Sequence, residues 1–376
     1  MKIVVIGAGS VGAHVAFRLS KEGADVVLVD SVVPGQGTTA SSIAWLSQFP
    51  QTSWEEEPGK AKLRLEVDEL FRQVESEVPG KYVEWPGTLL WGHAHERADL
   101  KQAASVSKGK GVDVRLLDAQ AARDVDANVA LADDELVFWE PGSGWVDGPE
   151  VVRVLVSAAV DLGAVLKTQT TVVGIRTAGG AVQGVDTSKG EYIECDGVVN
   201  AAGSWGSHIA ALADLAIPLD LIPGRIVYTA AVENLPKVIV NGPEWCARPD
   251  PSGGLAVHWR GGPQEPGHGS NVRTADEVIR EISYVIPALE GTSAARTSIG
   301  IRPIPPGGPI VGALPWLENF YFTLSHGGIG WGPMWGKMAA LELLHGGTND
   351  NLAAMRPERF YLDPVPIGRY ADDAEQ

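Results

Sequence analysis

The stretch Lys2–Asp30, KIVVIGAGSVGAHVAFRLSKEGADVVLVD, constrains the fold of this chain more than any other. A short apolar run, Ile3–Ile6, leads into Gly7, Gly9 and Gly12, helical spacing follows, and a second apolar run, Val26–Val29, ends in Asp30. This pattern predicts strand, helix and strand wrapped around a dinucleotide. Gly7 permits the tight turn, Gly9 lets backbone approach a pyrophosphate, and Gly12 lets helix and strand pack closely, while the helix N-terminus attracts phosphate charge. Asp30 falls about 20 residues on, where a carboxylate accepts the ribose hydroxyls of an adenosine.

The chain has 376 residues, room for two or three domain-sized cores or one composite fold. Its 47 acidic and 30 basic residues give a net charge of −17, which disfavours nucleic acid and anionic membranes as partners. Cys195 and Cys246 are the only cysteines, too few for a disulfide framework or a metal site, so no metal is expected. The N-terminal apolar run is four residues long and interrupted by glycine, which fits neither a signal segment nor a membrane span. A cytoplasmic location is the expectation. Twelve tryptophans are many for this length, and several sit beside glycine or proline, where they either plug loop bases or line a pocket.

After Asp30 and Ser31 comes TTASSIAWLSQFP, Thr38–Pro50, whose hydroxyls are placed to donate to phosphate oxygens. Thr38, Thr39 and Ser42 are the candidates. A GxGxxG unit followed by T-[ST]-x-x-S-x-A-W resembles the FAD-dependent D-amino acid oxidase superfamily, which includes glycine oxidase, sarcosine oxidase and the D-amino acid dehydrogenases. The resemblance implies an α/β fold, a Rossmann-type FAD-binding domain with an interleaved α+β substrate domain on a mixed or antiparallel sheet. It divides the chain into 1–48, 140–212 and 297–376 for the nucleotide and 49–139 and 213–296 for a roof over it.

The intervening pattern is mostly structural. Leu63, Val67, Leu70, Phe71, Val74 and Val78 make an amphipathic helix over Lys60–Val78, Thr88–Trp91 reads as a strand, and Ala98–Lys108 as a helix. Asp147 caps a helix with Glu150 three residues on and Pro149 in the first turn; Gly163 ends it. Val172–Arg176, a Gly179-Gly180 turn, Val182–Asp186 and Tyr192–Cys195 form a small antiparallel set, and Asp196–Gly203 is strand into glycine, followed by a helix from Trp205.

Leu219–Val232 shows strand alternation after a Pro223-Gly224 turn, Gly254–Trp259 is a second strand, and the Gly261–Asn271 loop is either a lid or a hairpin end. Asp276–Ile286 reads as a helix stopped by Pro287. By the resemblance these elements form the roof, whose inner face, with Tyr228, His258 and Trp259, either meets substrate or packs. Arg302 lies in a predicted strand in an apolar context, so its guanidinium must be paired or face a cavity. The resemblance assigns it to the substrate carboxylate by a bidentate fork that Lys does not copy. Phe320–Ser325 is a strand, and His326–Gly332, HGGIGWG, is a glycine loop feeding a helix from about Pro333; its HGxxGW form is similar to D-amino acid dehydrogenases.

The resemblance therefore implies cofactor contacts from Gly7, Gly9, Ser10, Val11 and Gly12, from Asp30 and Ser31, and from Thr38, Thr39, Ser41, Ser42, Ala44, Trp45 and Leu46. Further contacts fall to the main chain of Val172 and Val173, to Ala201, Ala202, Gly203 and Trp205, and to Arg302, Gly327, Gly328, Ile329, Gly330 and Trp331. Arg302, His326, His258 and Tyr228 are the catalytic candidates. The implied reaction is oxidation of a small amino acid or amine bearing a carboxylate, by hydride transfer to the flavin, with oxygen, a quinone or another carrier as electron acceptor. No cysteine stands in the C-terminal region, so the FAD is expected to be non-covalent. The histidine and arginines of sarcosine oxidases are not seen in SSIAWLSQFP, and the usual R-G-Q of the roof is here Arg225-Ile226-Val227. A 2-hydroxy acid dehydrogenase, a nicotinamide enzyme and a flavin-binding subunit without turnover are the alternatives.

Overall fold

A computed structural model describes residues 1–49, 54–260 and 273–361. The Gly261–Asn271 loop of the sequence reading lies outside these described residues.

The first strand, Lys2–Ile6, sits inside a six-stranded sheet whose order is Ile310–Leu314, Leu317–Leu324, Gly197–Asn200, Lys2–Ile6, Asp25–Val29, Val165–Lys167. All neighbours run parallel except the edge pair Ile310–Leu314 and Leu317–Leu324. A parallel sheet must be covered on both faces, and alternation does this here. Ile3, Val5, Val26 and Leu28 point into a core with the helices Ser10–Lys21, Gly148–Asp161 and Gly328–His345. Val4, Ile6, Val27 and Val29 point into a second core, under the three-stranded antiparallel sheet Val172–Ala178, Ala181–Thr187, Tyr192–Glu194.

The roof is an eight-stranded sheet ordered Ala294–Ile304, Asp220–Thr229, Leu255–Trp259, Trp245–Pro249, Ile239–Asn241, Thr88–Leu90, Val137–Glu140, Arg115–Leu117. Its outer face packs against the helix Ala275–Ser283 through Val278, Ile279 and Ile282. That helix carries a full capping box between Thr274 and Glu277.

Four details depart from the sequence reading. Pro223-Gly224 is no turn: the strand Asp220–Thr229 runs through it, Pro223 opposite Ile301 and Gly224 opposite Gly300. The other neighbour pairs only with Ile226–Tyr228, so at Pro223 that side of the strand has no ladder to lose, and a proline without N–H is tolerated. The strand Ala294–Ile304 belongs to the roof sheet, not to the nucleotide-binding half, so Arg302 reaches the site from above. Trp259 alternates away from His258, into the outer core, under the Arg273 guanidinium.

The fourth departure is the start of the last helix, which begins at Gly328 rather than Pro333, capped by Gly327 at φ 67°. Pro333 therefore lies inside it. Gly328, Gly332 and Gly336 are spaced by four and make one smooth stripe against the N-terminal helix. A Cβ at Gly328 would stand 3.0 Å from Val11, at Gly332 2.4 Å from Nδ1 of His14, and at Gly336 2.8 Å from the His14 carbonyl. Glycines that read as loop are here the condition for two helices to touch.

Candidate active site

Between the glycine loop, the roof and the start of the last helix lies a cavity of about 960 Å³. Its floor at one end is the turn Gly9–Val11. The N-terminal helix starts there with Gly9 as N-cap, no side-chain cap and no acidic residue in its first turn, which leaves its amide ends available to an anion. Two observations fit a dinucleotide phosphate. Ser10 Oγ is buried with no hydrogen-bond partner among the described residues. Thr39 Oγ1 accepts the Ser10 N–H at 3.1 Å, so the Thr38–Ser41 turn faces the glycine loop. The glycines are sterically required, because a Cβ at Gly12 would stand 1.8 Å from the Gly7 carbonyl oxygen, and Gly7 itself has φ 103°.

Asp30 ends the second strand and accepts the Ala8 N–H at 2.6 Å and the Val32 N–H at 2.8 Å. Each carboxylate oxygen keeps a second lone pair, so this bracing leaves acceptor capacity for ribose. Thr170 N–H bonds to the Asp30 carbonyl at 2.9 Å, which brings Val172 and Val173 to the same end.

Along the cavity, Ser41, Ser42, Ala44, Trp45, Ala201, Gly203 and Gly327–Trp331 line the walls with Gly9, Ser10, Val11, Thr38 and Thr39, as the sequence suggests. Trp45 is fixed by its indole N–H donating to Thr88 Oγ1 at 2.9 Å. Trp331 stacks on Trp335, with centroids 4.9 Å apart, under the Arg64 guanidinium. Other expected residues are elsewhere. Gly7, Gly12, Asp30, Ser31, Val172, Val173 and Ala202 are not part of the cavity wall. Leu46 is fully buried in the core beneath the site. Trp205 is 71% exposed on the outside, against His208.

The far end is built from the roof. His258 on one strand and Arg260 just past its end, Ile226 and Gly224 on the next strand and Arg302 on the edge strand line the cavity, with Cys246 opposite His258. Arg302 donates long hydrogen bonds of 3.4 Å from Nε to the Ile222 carbonyl and from Nη2 to the Pro223 carbonyl. Tyr228 shares this face but is buried, its ring 3.3 Å below the Arg296 guanidinium and outside the cavity wall. His326 enters from the opposite side, at the end of the strand Leu317–Leu324.

Burial and cations keep both histidines neutral at pH 7. His258 is pushed down to about 3 by burial and then by Arg302, Arg260 and His326; His326 is pushed down to about 4 by burial, Arg302 and Lys60. Burial raises the Cys246 thiol to about 11, so it is unreactive at neutral pH.

Three cavity residues come from the helix Pro58–Glu77 and adjoining loop and were not read from sequence: Glu57, Lys60 and Arg64. Lys60 pairs with Glu57 at 2.7 Å. Arg64 donates to the Ser47 carbonyl at 2.7 Å near Asp68 and Glu140. A signal was present, since Arg64 follows Leu63 and precedes Val67 by three residues, a charge on the buried stripe of an amphipathic helix.

A largely parallel sheet with a glycine loop, a mixed roof sheet and a cavity lined by both define a nucleotide-dependent enzyme. Residues 2–341 match the DAO family of FAD dependent oxidoreductases, and the chain belongs to that family. It is 25% identical over 378 residues to the uncharacterized oxidoreductase YurR of Bacillus subtilis, covering 94% of this chain and 98% of that protein. It is 24% identical over 381 residues to glycine oxidase of Geobacillus kaustophilus, covering 98% and 97%. The crystal structure of L-proline dehydrogenase from P. horikoshii superposes with a TM-score of 0.83 at 25% identity, over 96% of this chain and 97% of that one. The chain is thus an FAD-dependent oxidoreductase.

Proposed function

We propose that this enzyme oxidises the C–N bond of a small amino acid or secondary amine that carries a carboxylate. The observation that supports this most is that the Arg302 guanidinium shares the cavity wall with two imidazoles, His258 and His326, which burial and Arg302 itself hold neutral. Relatives named for glycine oxidation and proline dehydrogenation over nearly the whole chain length agree with it.

Bound along Gly9–Val11, Thr38–Trp45 and Gly327–Trp331, FAD supplies a two-electron acceptor. The chain's own residues bind and orient. Arg302 forks onto the substrate carboxylate and fixes the α-carbon. The substrate amine must shed its ammonium proton before the C–H bond breaks. That proton leaves to solvent: imidazoles pushed as far down as His258 and His326 accept a hydrogen bond and orient the amine without keeping its proton. The substrate then loses a hydride from its α-carbon, and water hydrolyses the resulting imine. The start of the helix Gly328–His345 presents backbone N–H groups and a positive dipole end to the cavity, with no acidic residue in its first turn, which favours negative charge there.

The FAD is held non-covalently on this reading, since both cysteines are buried thiols. The nucleotide half comprises 1–48, 140–212 and 305–376, with the roof taking the rest. No helix among the described residues is long and apolar enough to cross a membrane. The test is anaerobic mixing of the FAD-loaded protein with D-amino acids, N-alkyl amino acids and 2-hydroxy acids while following flavin bleaching. Amines bleach it on this reading. Bleaching by hydroxy acids alone replaces it with 2-hydroxy acid oxidation.

A further inference from the structure

Besides Arg302 and Arg64, the cavity is lined by a third guanidinium, that of Arg260. Arg260 stands one residue past the end of the strand Leu255–Trp259 and lines the cavity together with His258. Among the described residues Arg260 donates only to neutral oxygens: from Nη1 to the Gly242 carbonyl at 2.7 Å and the Pro243 carbonyl at 3.2 Å, and from Nη2 to Asn241 Oδ1. These bonds fix the guanidinium and leave its Nε–H and one Nη2–H for another acceptor. No carboxylate of the described residues lies within ion-pair distance of it. Elsewhere on the cavity wall Lys60 pairs with Glu57, and Arg64 lies near Asp68 and Glu140.

Sheet geometry places Arg302 relative to His258. They stand on strands two apart, with Asp220–Thr229 between them, so those strands are separated laterally by roughly 10 Å, and Arg260 follows His258 just past the strand end. On the middle strand Gly224 lines the cavity, and the Arg302 side chain lies over it: a Cβ there would stand 3.1 Å from Arg302 Nε. Arg302 thus leans towards the Arg260 side, and His258 feels both cations. In a chain of net charge −17, two guanidiniums that line one cavity and both reach His258 electrostatically are a recognition feature for an anion with two charged ends.

We propose that the substrate is a dicarboxylic amino acid or amine, its α-carboxylate on Arg302 and its second carboxylate on Arg260. This rests on the amine-oxidising reading for the chemistry, but the two-cation clamp stands on binding alone. The test has two arms, both on the FAD-loaded protein. Calorimetric titration with redox-inert succinate and with propionate should show succinate binding at least tenfold tighter. Arg260→Met should remove that preference and leave propionate binding within twofold. Anaerobic flavin bleaching should favour iminodiacetate over sarcosine and D-aspartate over D-alanine by at least tenfold in kcat/KM.

Equal binding of succinate and propionate by the unaltered protein overturns the clamp, and needs no variant to fold. So does a succinate preference that survives Arg260→Met. Faster bleaching by the monocarboxylic amines overturns the clamp while upholding amine oxidation. Tight, Arg260-dependent succinate binding without bleaching by any amine upholds the clamp and rejects amine oxidation.

Discussion

The side chain of Arg302 lies directly over Gly224 on the neighbouring strand, where an added Cβ would stand 3.1 Å from Nε and 3.3 Å from Cδ. The glycine leaves the guanidinium room to lie flat along the roof instead of standing into the flavin space. Gly224→Ala should therefore displace the fork without touching the phosphate-binding turn. We expect KM for carboxylate substrates to rise about tenfold, roughly 1.4 kcal/mol, with FAD affinity unchanged. Steady-state kinetics beside a flavin titration checks this, and a parallel loss of FAD would contradict it.

Ser10 Oγ is buried without a partner among the described residues, which costs stability when the phosphate site is empty. Ser10→Ala should leave the FAD-free protein as stable or more stable, by up to about 1 kcal/mol, yet weaken FAD binding about tenfold. Melting curves with and without FAD read both signs at once. A structural hydroxyl would lower both.

The glycine stripe of the last helix predicts a cost at Gly332. Alanine is the better helix former by about 1 kcal/mol, but its Cβ would stand 2.4 Å from Nδ1 of His14, a buried ring held by the Ser10 carbonyl at 2.8 Å. Overpacking should win, with a net loss of about 1–3 kcal/mol. Gly109→Ala is the control, in the last turn of the helix Arg97–Gly109 with nothing within 4 Å of the added Cβ, and should be neutral or stabilising by up to about 1 kcal/mol.

Beneath the site, Glu140 accepts from Ser47 Oγ at 2.6 Å and from the Gln48 N–H at 2.7 Å, yet burial pushes its carboxyl up to about 7, with Asp68 adding repulsion. A folded-state value above the unfolded one means that this group's stabilisation is complete below about pH 4.5 and lost as pH rises through 7. Glu140→Gln keeps the neutral form at every pH. Its stability relative to the unaltered protein should climb between pH 5 and pH 8 by about 2–3 kcal/mol. Urea denaturation at the two pH values measures it, and a pH-independent difference would refute the shifted carboxyl.

The cofactor half was legible because its constraints are local. Gly7, Gly9 and Gly12 between two apolar runs, the Thr38–Trp45 hydroxyl segment and the Asp147–Glu150 cap each declare their geometry within a few residues. The roof was less legible because strand pairing is non-local. Nothing near Arg302 shows that Ala294–Ile304 pairs with a strand some seventy residues earlier, so it was assigned to the wrong sheet. Pro223-Gly224 and Pro333 were misread for a related reason, since turn chemistry is overridden where an open sheet edge tolerates proline or a facing helix demands glycine. Arg260 and Cys246 carried no motif at all, and only the fold brings them to the cavity.

The central claim is that Arg302 holds the carboxylate of an amine beside a flavin it does not itself retain. Anaerobic stopped-flow reduction of the FAD-loaded protein, compared with Arg302→Met, tests it most directly. The account predicts equal FAD content and spectrum in the two proteins, with amino acid affinity during flavin reduction weakened at least a hundredfold in the variant, about 2.7 kcal/mol. Reduction of both proteins with the same concentration dependence would contradict it.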